Sequence, residues 1–204
     1  AGMAPESSLK EDVMKVLVVA VAAGLFLLPL TASAQVPLVP GSFEISAGGG
    51  MSVPMGDFNL IAEPGYQVGA SGAFYAMPTL AIGGTIAYNS YGLDESFEVF
   101  GLDDMSLSMW EFSANGKYMF LPGPVTPYAK ATMGLFRTTV SAFGASESVT
   151  DMGVGGGNGA QLRLPTSNIG FFAEGMVNAA FTDDSTKNYY SVRGGINFYV
   201  SPTR

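Results

Sequence analysis

The sequence predicts an all-β protein, an eight-stranded antiparallel up-and-down transmembrane β-barrel. Three observations predict this fold. Apolar and polar residues alternate at a period of two along eight segments, which is the signal of β-strands. The connections between these segments alternate between short and long, as in outer-membrane barrels. Apolar residues make up 48% of the chain and charged residues only 13%, about half the roughly 25% of a soluble domain.

The first four segments each have an apolar face and a polar face. We expect strands over 43–53, 65–76, 80–91 and 110–120. The first three apolar faces include Phe43 and Ile45, then Val68 and Phe74, then Ile82 and Ile86. The fourth segment alternates most clearly, because Trp110, Phe112 and Tyr118 share one face. The opposite face of that segment carries Glu111, Ser113, Asn115 and Lys117.

The last four segments repeat the pattern over 126–137, 151–164, 169–181 and 189–200. Their apolar faces include Met133 and Leu135, Met152 and Val154, Phe171 and Val177, and Val192 and Ile196. Asn158 is an exception, since it is a polar residue on an apolar face. The segments have about the 9–11 residues that a membrane strand needs, with some longer ends.

The connections divide into two kinds. Those over 77–79, 121–125 and 165–168 are short, contain Pro and carry no charge, whereas those over 54–64, 92–105, 138–150 and 182–188 are longer and polar. We expect the long ones to be acidic loops in which Lys187 is the only base. Their ten acids are Asp57, Glu63, Asp94, Glu95, Glu98, Asp103, Asp104, Glu147, Asp183 and Asp184.

Eight charges fall on the polar faces of the strands: Glu44, Glu111, Lys117, Lys130, Asp151, Arg163, Glu174 and Arg193. Turned toward lipid, a Lys or Arg near mid-bilayer costs roughly 2–4 kcal/mol. Four such bases would cost on the order of 8–16 kcal/mol, comparable with the whole stability of a domain. The apolar faces must therefore meet lipid. Buried charges need partners, so we expect an ion-paired, plugged lumen with Gly on the inner face leaving room for long side chains. A permeation path is the alternative role of these charges.

The N-terminal region has the layout of a secretory signal peptide. Met14 and Lys15 precede an apolar run over 16–30, and Thr31-Ala32-Ser33-Ala34 supplies small residues for cleavage. We expect cleavage between Ala34 and Gln35, with 14–34 as the signal peptide, 35–204 as the barrel domain and 1–13 as an upstream extension. A transmembrane anchor is the alternative, although the run is shorter than the roughly 20 residues a membrane helix needs.

The chain resembles the small outer-membrane β-barrel domain family of OmpA/OmpX-like, porin-like outer-membrane proteins. The segments that carry the resemblance are 47–58, Pro127-Tyr128, 155–159 and 172–174, together with the closing strand. The chain end is similar to the signal read by the outer-membrane assembly machinery, which would comprise Arg193, Gly195, Phe198 and Val200. The resemblance implies a Gram-negative bacterial outer membrane, contact with its lipid and lipopolysaccharide, and delivery by that machinery.

The composition excludes several functions. The chain has no His and no Cys, so Ser-His and Cys-His nucleophiles are excluded, and we expect no catalytic residue, no cofactor and no metal. The net charge of −8 argues against a nucleic-acid partner. We expect a monomeric, non-enzymatic protein of the cell envelope, acting in envelope integrity or in surface interaction with extracellular ligands at its acidic loops. A narrow channel for small solutes and a secreted lipocalin-like carrier are the alternatives.

Overall fold

The structure, a computed structural model, describes residues 39–93, 106–121, 123–142, 145–165, 167–182 and 186–202. These residues form the predicted closed barrel of eight antiparallel strands. The strands are β1 (Phe43–Met55), β2 (Ala62–Met77), β3 (Leu80–Leu93), β4 (Ser106–Met119), β5 (Val125–Ala142), β6 (Ala145–Arg163), β7 (Ile169–Phe181) and β8 (Thr186–Val200). The predicted signal peptide, the cleavage site at Ala34 and Gln35, and the upstream extension lie outside the described residues.

Pairing between the first and last strands closes the barrel. β1 pairs with β8 from Phe43 opposite Val200 to Met55 opposite Asn188. Glycine lets the two backbones approach at this seam, because a Cβ on Gly48 would lie 2.4 Å from the carbonyl oxygen of Gly194. Because β1 and β8 pair with each other, neither of these terminal strands leaves an unpaired edge.

The strands turn their apolar faces outward, as the alternation predicts. On β4, Phe112 is 47% exposed and Tyr118 is 51% exposed, whereas Glu111 and Lys117 are buried. Exposed aromatic rings gather near both ends of the strands. Phe43, Phe74, Phe120, Phe171 and Phe198 lie near the short turns. Tyr66 and Trp110 lie near the long connections, with the half-buried Tyr88 ring between them. Two such girdles around an apolar band mark a membrane barrel.

The strands extend further into the long connections than predicted. The prediction of a loop over 138–150 is wrong, because β5 runs to Ala142 and β6 begins at Ala145. The segment over 54–64 holds the end of β1, a 3-10 turn over Gly56–Leu60 and the start of β2. Glu63 and Glu147 thus lie in strands. Residues 145–150 of β6 are exposed on both faces, so the pattern of apolar residues outward and polar residues inward ends there.

The interior contains two apolar clusters at different depths. One lies toward the long connections and includes Phe58, Tyr91, Leu107, Met109, Phe136 and Tyr189. The other lies toward the short turns and includes Ala73, Tyr75, Ala81, Met119, Tyr128 and Tyr199. We call these the loop-end cluster and the turn-end cluster. Within the described ranges, no helix has both the length and the apolar character to cross a membrane.

Candidate functional site: the barrel interior

All eight predicted lumen charges lie on the inward faces of their strands. The buried ones are Glu44, Glu111, Lys117, Lys130, Asp151, Glu174 and Arg193. Arg163 is half-buried on β6 near the short turns, and its guanidinium carbon lies 5.9 Å from the centre of the Tyr199 ring. The alternation therefore identifies which face of each strand carries charge.

The carboxylate of Glu174 joins three strands. Glu174 lies on β7, and its carboxylate accepts a hydrogen bond from Lys130 Nζ on β5 at 3.3 Å and one from Arg193 Nε on β8 at 2.5 Å. The hydroxyl of Tyr128 donates to its other oxygen at 2.8 Å. Two buried bases thus share one carboxylate, and charge-assisted hydrogen bonds of this kind are stronger than neutral ones.

A second ion pair crosses the lumen between strands that are not neighbours. Lys117 Nζ on β4 lies 2.5 Å from Glu44 Oε1 on β1 and donates to Gln161 Oε1 at 3.1 Å. The hydroxyls of Tyr75 and Ser46 also donate hydrogen bonds to the Glu44 carboxylate. The lysine is thereby held between β1 and β6, and these contacts stabilise the barrel from within.

A third pair involves a residue that the sequence assigned to a loop. Lys187 lies in β8, and its Nζ is 3.0 Å from Asp151 Oδ2 and 3.2 Å from Thr138 Oγ1. The prediction that Lys187 belongs to a long loop was wrong, and this lysine adds a ninth charge to the eight predicted for the lumen. Lys187 stands on the same face of β8 as Tyr189 and Arg193, which is the signal that could have placed it inside.

Glu44, Glu111, Lys117, Lys130, Glu174 and Arg193 form what we call the charged layer, which lies between the two apolar clusters. In the loop-end cluster, the Phe58 ring meets the Tyr91 ring edge-on at 5.2 Å, and the Phe136 ring lies 6.4 Å from that of Tyr189. Below this cluster, Glu111 accepts hydrogen bonds from Ser113 at 2.7 Å and from Tyr189 at 3.4 Å. The Tyr75 and Tyr128 rings of the turn-end cluster lie within 5.8 Å and 5.1 Å of Lys117 Nζ. Aromatic residues therefore border the charges on both sides.

Inward-facing glycines make room for these rings. A Cβ on Gly153 would lie 2.5 Å from the Phe136 ring, and one on Gly159 would lie 2.7 Å from the Tyr128 ring. Both glycines belong to the run of alternate glycines on β6. A larger residue at either position would push a ring out of its place, so these glycines are part of the packing of the interior.

Little empty space remains among the charged residues. The cavity lined by Glu44, Lys117, Lys130, Glu174 and Arg193 has a volume of about 20 Å³, which is the space for one water molecule. Within the ranges described, no three acidic residues cluster as they would around a metal ion. Chemically, these residues hold their charges in contact with one another around a space no larger than one water molecule.

The four residues of the predicted assembly signal occupy both faces of β8. Arg193 and Gly195 point inward, whereas Phe198 and Val200 are exposed on the outer surface near the end of the strand. This strand seals the barrel against β1. Only Phe198 and Val200 of the four lie on the outer face of the strand, and recognition of the signal stays a prediction.

Comparisons with known proteins agree on the fold. No model of a protein family matches the chain, and no curated protein matches it. The crystal structure of Neisserial surface protein A is similar, with a TM-score of 0.60 and 17% identity over 78% of this chain and 98% of that chain. The outer-membrane protein OprG from Pseudomonas aeruginosa is also similar, with a TM-score of 0.50 and 11% identity over 80% of this chain and 98% of that chain. The chain thus has the fold of a small outer-membrane β-barrel, as the resemblance in its sequence implied.

Proposed function

We propose that the protein is a non-enzymatic barrel of the bacterial outer membrane, closed to solutes, whose loop end serves in surface interaction. The observation that carries this proposal is the division of the barrel into an apolar exterior and a packed, ion-paired interior. The membrane location follows from energetics. Ile82, Met133 and Ile196 each expose more than half of their surface, and such a band is stable in hydrocarbon but not in water.

The same band argues against a secreted, lipocalin-like carrier. A soluble barrel of that kind keeps its apolar residues inside, around a ligand cavity. Here the apolar side chains face outward, and the charged layer holds a cavity of about 20 Å³. Cell fractionation tests the location, and we expect the protein in the outer-membrane fraction with heat-modifiable migration on gels. A soluble periplasmic product would contradict the proposal.

The packed interior supports a barrel that is closed to solutes rather than a narrow channel. Ion pairs occupy the middle of the lumen, and aromatic clusters lie on both sides of them. Passage of even small ions would need several buried side chains to move together. Purified protein in planar bilayers should give no steady conductance. Reproducible conductance steps from the unboiled, folded protein would favour the channel instead.

The hairpin of β5 and β6 supports a role in surface interaction. Its two strands stay paired up to Ala142 opposite Ala145, whereas β6 pairs with β7 only from Met152 onward. Residues 145–150 are exposed throughout, so this part of β6 offers backbone groups to a partner. Asp57, Glu63 and Glu147 are exposed near the same end of the barrel, together with the base Arg137, and Lys187 is turned inward. A basic partner surface fits this acidic end best.

A deletion strain complemented with two variants separates surface interaction from envelope integrity. One complementing chain is the natural one. In the other, a tight turn replaces residues 140–147, and this replacement leaves the membrane band unchanged. We expect the shortened variant to restore resistance to detergent but not adhesion to surfaces coated with basic peptide. Full adhesion by the shortened variant would contradict a role of this hairpin. Loss of detergent resistance in the shortened variant would indicate that the hairpin serves envelope integrity.

A further inference from the structure

Asn158 lies in the middle of the lipid-facing surface. It is exposed on the outward face of β6, where Met152, Val154 and Gly156 precede it and Ala160, Leu162 and Leu164 follow it. Its direct neighbours across the sheet are Ala129 on β5 and Gly175 on β7. Three outward-facing residues of this segment lie on either side of Asn158 within the apolar band, so the amide is about halfway through the band.

The side-chain amide of Asn158 makes no hydrogen bond within the part of the chain that the structure describes. Other polar side chains on the outer face of the described strands, such as Ser108, Arg137 and Asn188, lie near the long connections, where water is available. Hydrocarbon offers neither donors nor acceptors, so an unpaired amide at mid-depth is unfavourable. Its position calls for a polar partner inside the membrane.

The surroundings of Asn158 allow a partner to come close. We call the outward residues around it the small-residue patch; they are Ala129, Ala131, Gly156, Ala160, Ala173 and Gly175. None of these six residues has a side chain larger than a methyl group. The Tyr190 ring of β8 reaches over the edge of the patch, with its hydroxyl 2.4 Å from where a Cβ on Gly175 would lie. In membranes, small residues permit close approach of two protein surfaces and amides form hydrogen bonds between them. The patch and the unpaired amide are separate observations that point to the same contact.

We propose that Asn158 and the small-residue patch form a contact with a second copy of this chain in the plane of the membrane. A twofold axis along the membrane normal would bring two Asn158 side chains together at the same depth. Each amide has a donor and an acceptor, so the pair is self-complementary, as an isologous interface requires. Lipid tails offer no such complement. The proposal goes beyond surface interaction and replaces the monomer expected from the sequence.

Energy transfer between labelled copies in phosphatidylcholine vesicles tests the contact. The chain has no Cys, so Ser148→Cys on the exposed hairpin accepts a donor or acceptor dye without further changes. We expect transfer that decreases as the protein is diluted in lipid and yields a dissociation constant. Asn158→Leu should raise this constant about threefold to thirtyfold, the range for one hydrogen bond between membrane segments.

A matched pair of variants distinguishes a contact through the small-residue patch from a general effect of adding a large side chain to the outer surface. Ala129→Leu adds a large side chain beside Asn158 and leaves the amide unchanged, so it should also weaken association. Ala70→Leu is the same change on the outer face of β2, on the opposite wall of the barrel, and should have no effect. Heat-modifiable migration confirms that each variant is folded. Transfer at the level of random proximity in the natural chain would overturn the proposal, and so would equal constants for all variants.

Discussion

Glu174 is the residue on which the buried charges depend most. Its carboxylate is the only acid within salt-bridge distance of Lys130 and Arg193 among the described residues, and all three side chains are buried. Removing one partner of a buried ion pair costs far more than the pair contributes, because the other charge is left without compensation. The stability of the barrel therefore depends on this single negative charge.

We predict that Glu174→Gln lowers the free energy of unfolding by about 3–5 kcal/mol. The amide keeps the shape of the side chain but leaves two buried bases without a counter-charge. Urea unfolding in lipid vesicles, followed by the fluorescence of Trp110, the only Trp of the chain, measures the change. Glu63→Gln is the control, because Glu63 is exposed near the loop end and its loss should stay within about 0.5 kcal/mol. Equal losses would mean that burial of the charges is not decisive.

Two glycines of β6 test the packing of the interior against its surface. A Cβ on Gly159 would lie 2.7 Å from the Tyr128 ring and 2.6 Å from the carbonyl oxygen of Ala173. The ring is held by the hydrogen bond to Glu174 and cannot move freely. Gly159→Ala should therefore lower the free energy of unfolding by about 1–3 kcal/mol, the usual cost of overpacking.

Gly156→Ala is the matched control for that variant. Gly156 faces outward, and a Cβ built on it meets nothing within 4 Å. The alanine should leave stability unchanged or raise it slightly, since glycine weakens a strand. Both variants are compared by their urea midpoints in the same vesicles. A loss at Gly156 as large as that at Gly159 would contradict the assignment of the two faces.

At the scale of elements, the sequence was informative where lipid lies on one side of the strand and the lumen on the other. The predicted β7 matches the observed Ile169–Phe181, and the alternation on β4 is reproduced residue by residue. The alternation did not predict the loop-end parts of β5 and β6. There the hydroxyl of Thr139 pairs with that of Ser148, and the hydroxyl of Ser141 pairs with that of Ser146, across a hairpin exposed to water. The outward face there is polar and the opposite face carries Val140 and Val149, so the apolar-outward pattern of the membrane part no longer marks the strands.

The partners of the buried charges were beyond prediction for a different reason. The faces of the strands follow from alternation, but a pair such as Lys117 and Glu44 is 73 positions apart in sequence. Their meeting depends on the register of every strand between them, and a slip of one residue would reverse the faces. Lys187 was missed because the start of β8 was placed three residues too late.

The closing strand is the element for which we predict an effect on assembly. Phe198 on β8 and Phe171 on β7 are outward-facing rings near the same end of the barrel, with 46% and 44% exposure. If the end of β8 is the assembly signal, Phe198→Ser should reduce the heat-modifiable barrel in isolated outer membranes severalfold, because its recognition depends on the ring. Phe171→Ser removes an equivalent ring outside the signal and should have a much smaller effect. Equal yields from both variants would exclude a special role for Phe198.

For the whole molecule, the arrangement of layers indicates where the proposed closure to solutes would lie. The loop-end and turn-end clusters lie one after the other along the lumen, with the charged layer between them. Apolar constrictions exclude ions by excluding water. Two such barriers in series mean that opening one is not sufficient, and that the ion pairs between them are shielded from water on both sides.

This arrangement predicts a conductance that appears only when both clusters are reduced. Met109→Ala with Phe136→Ala removes bulk from the loop-end cluster, and Met119→Ala with Tyr199→Ala removes it from the turn-end cluster; none of the four side chains belongs to an ion pair. Each substitution costs roughly 2–5 kcal/mol, so folding of every variant is first verified by heat-modifiable migration. In planar bilayers, each double variant should stay closed. The folded quadruple variant should conduct, because water that reaches the charged layer from both ends hydrates the ion pairs and allows their side chains to move aside. A conducting double variant would show that one cluster alone closes the barrel. A closed, folded quadruple variant would mean that the ion pairs themselves are the barrier.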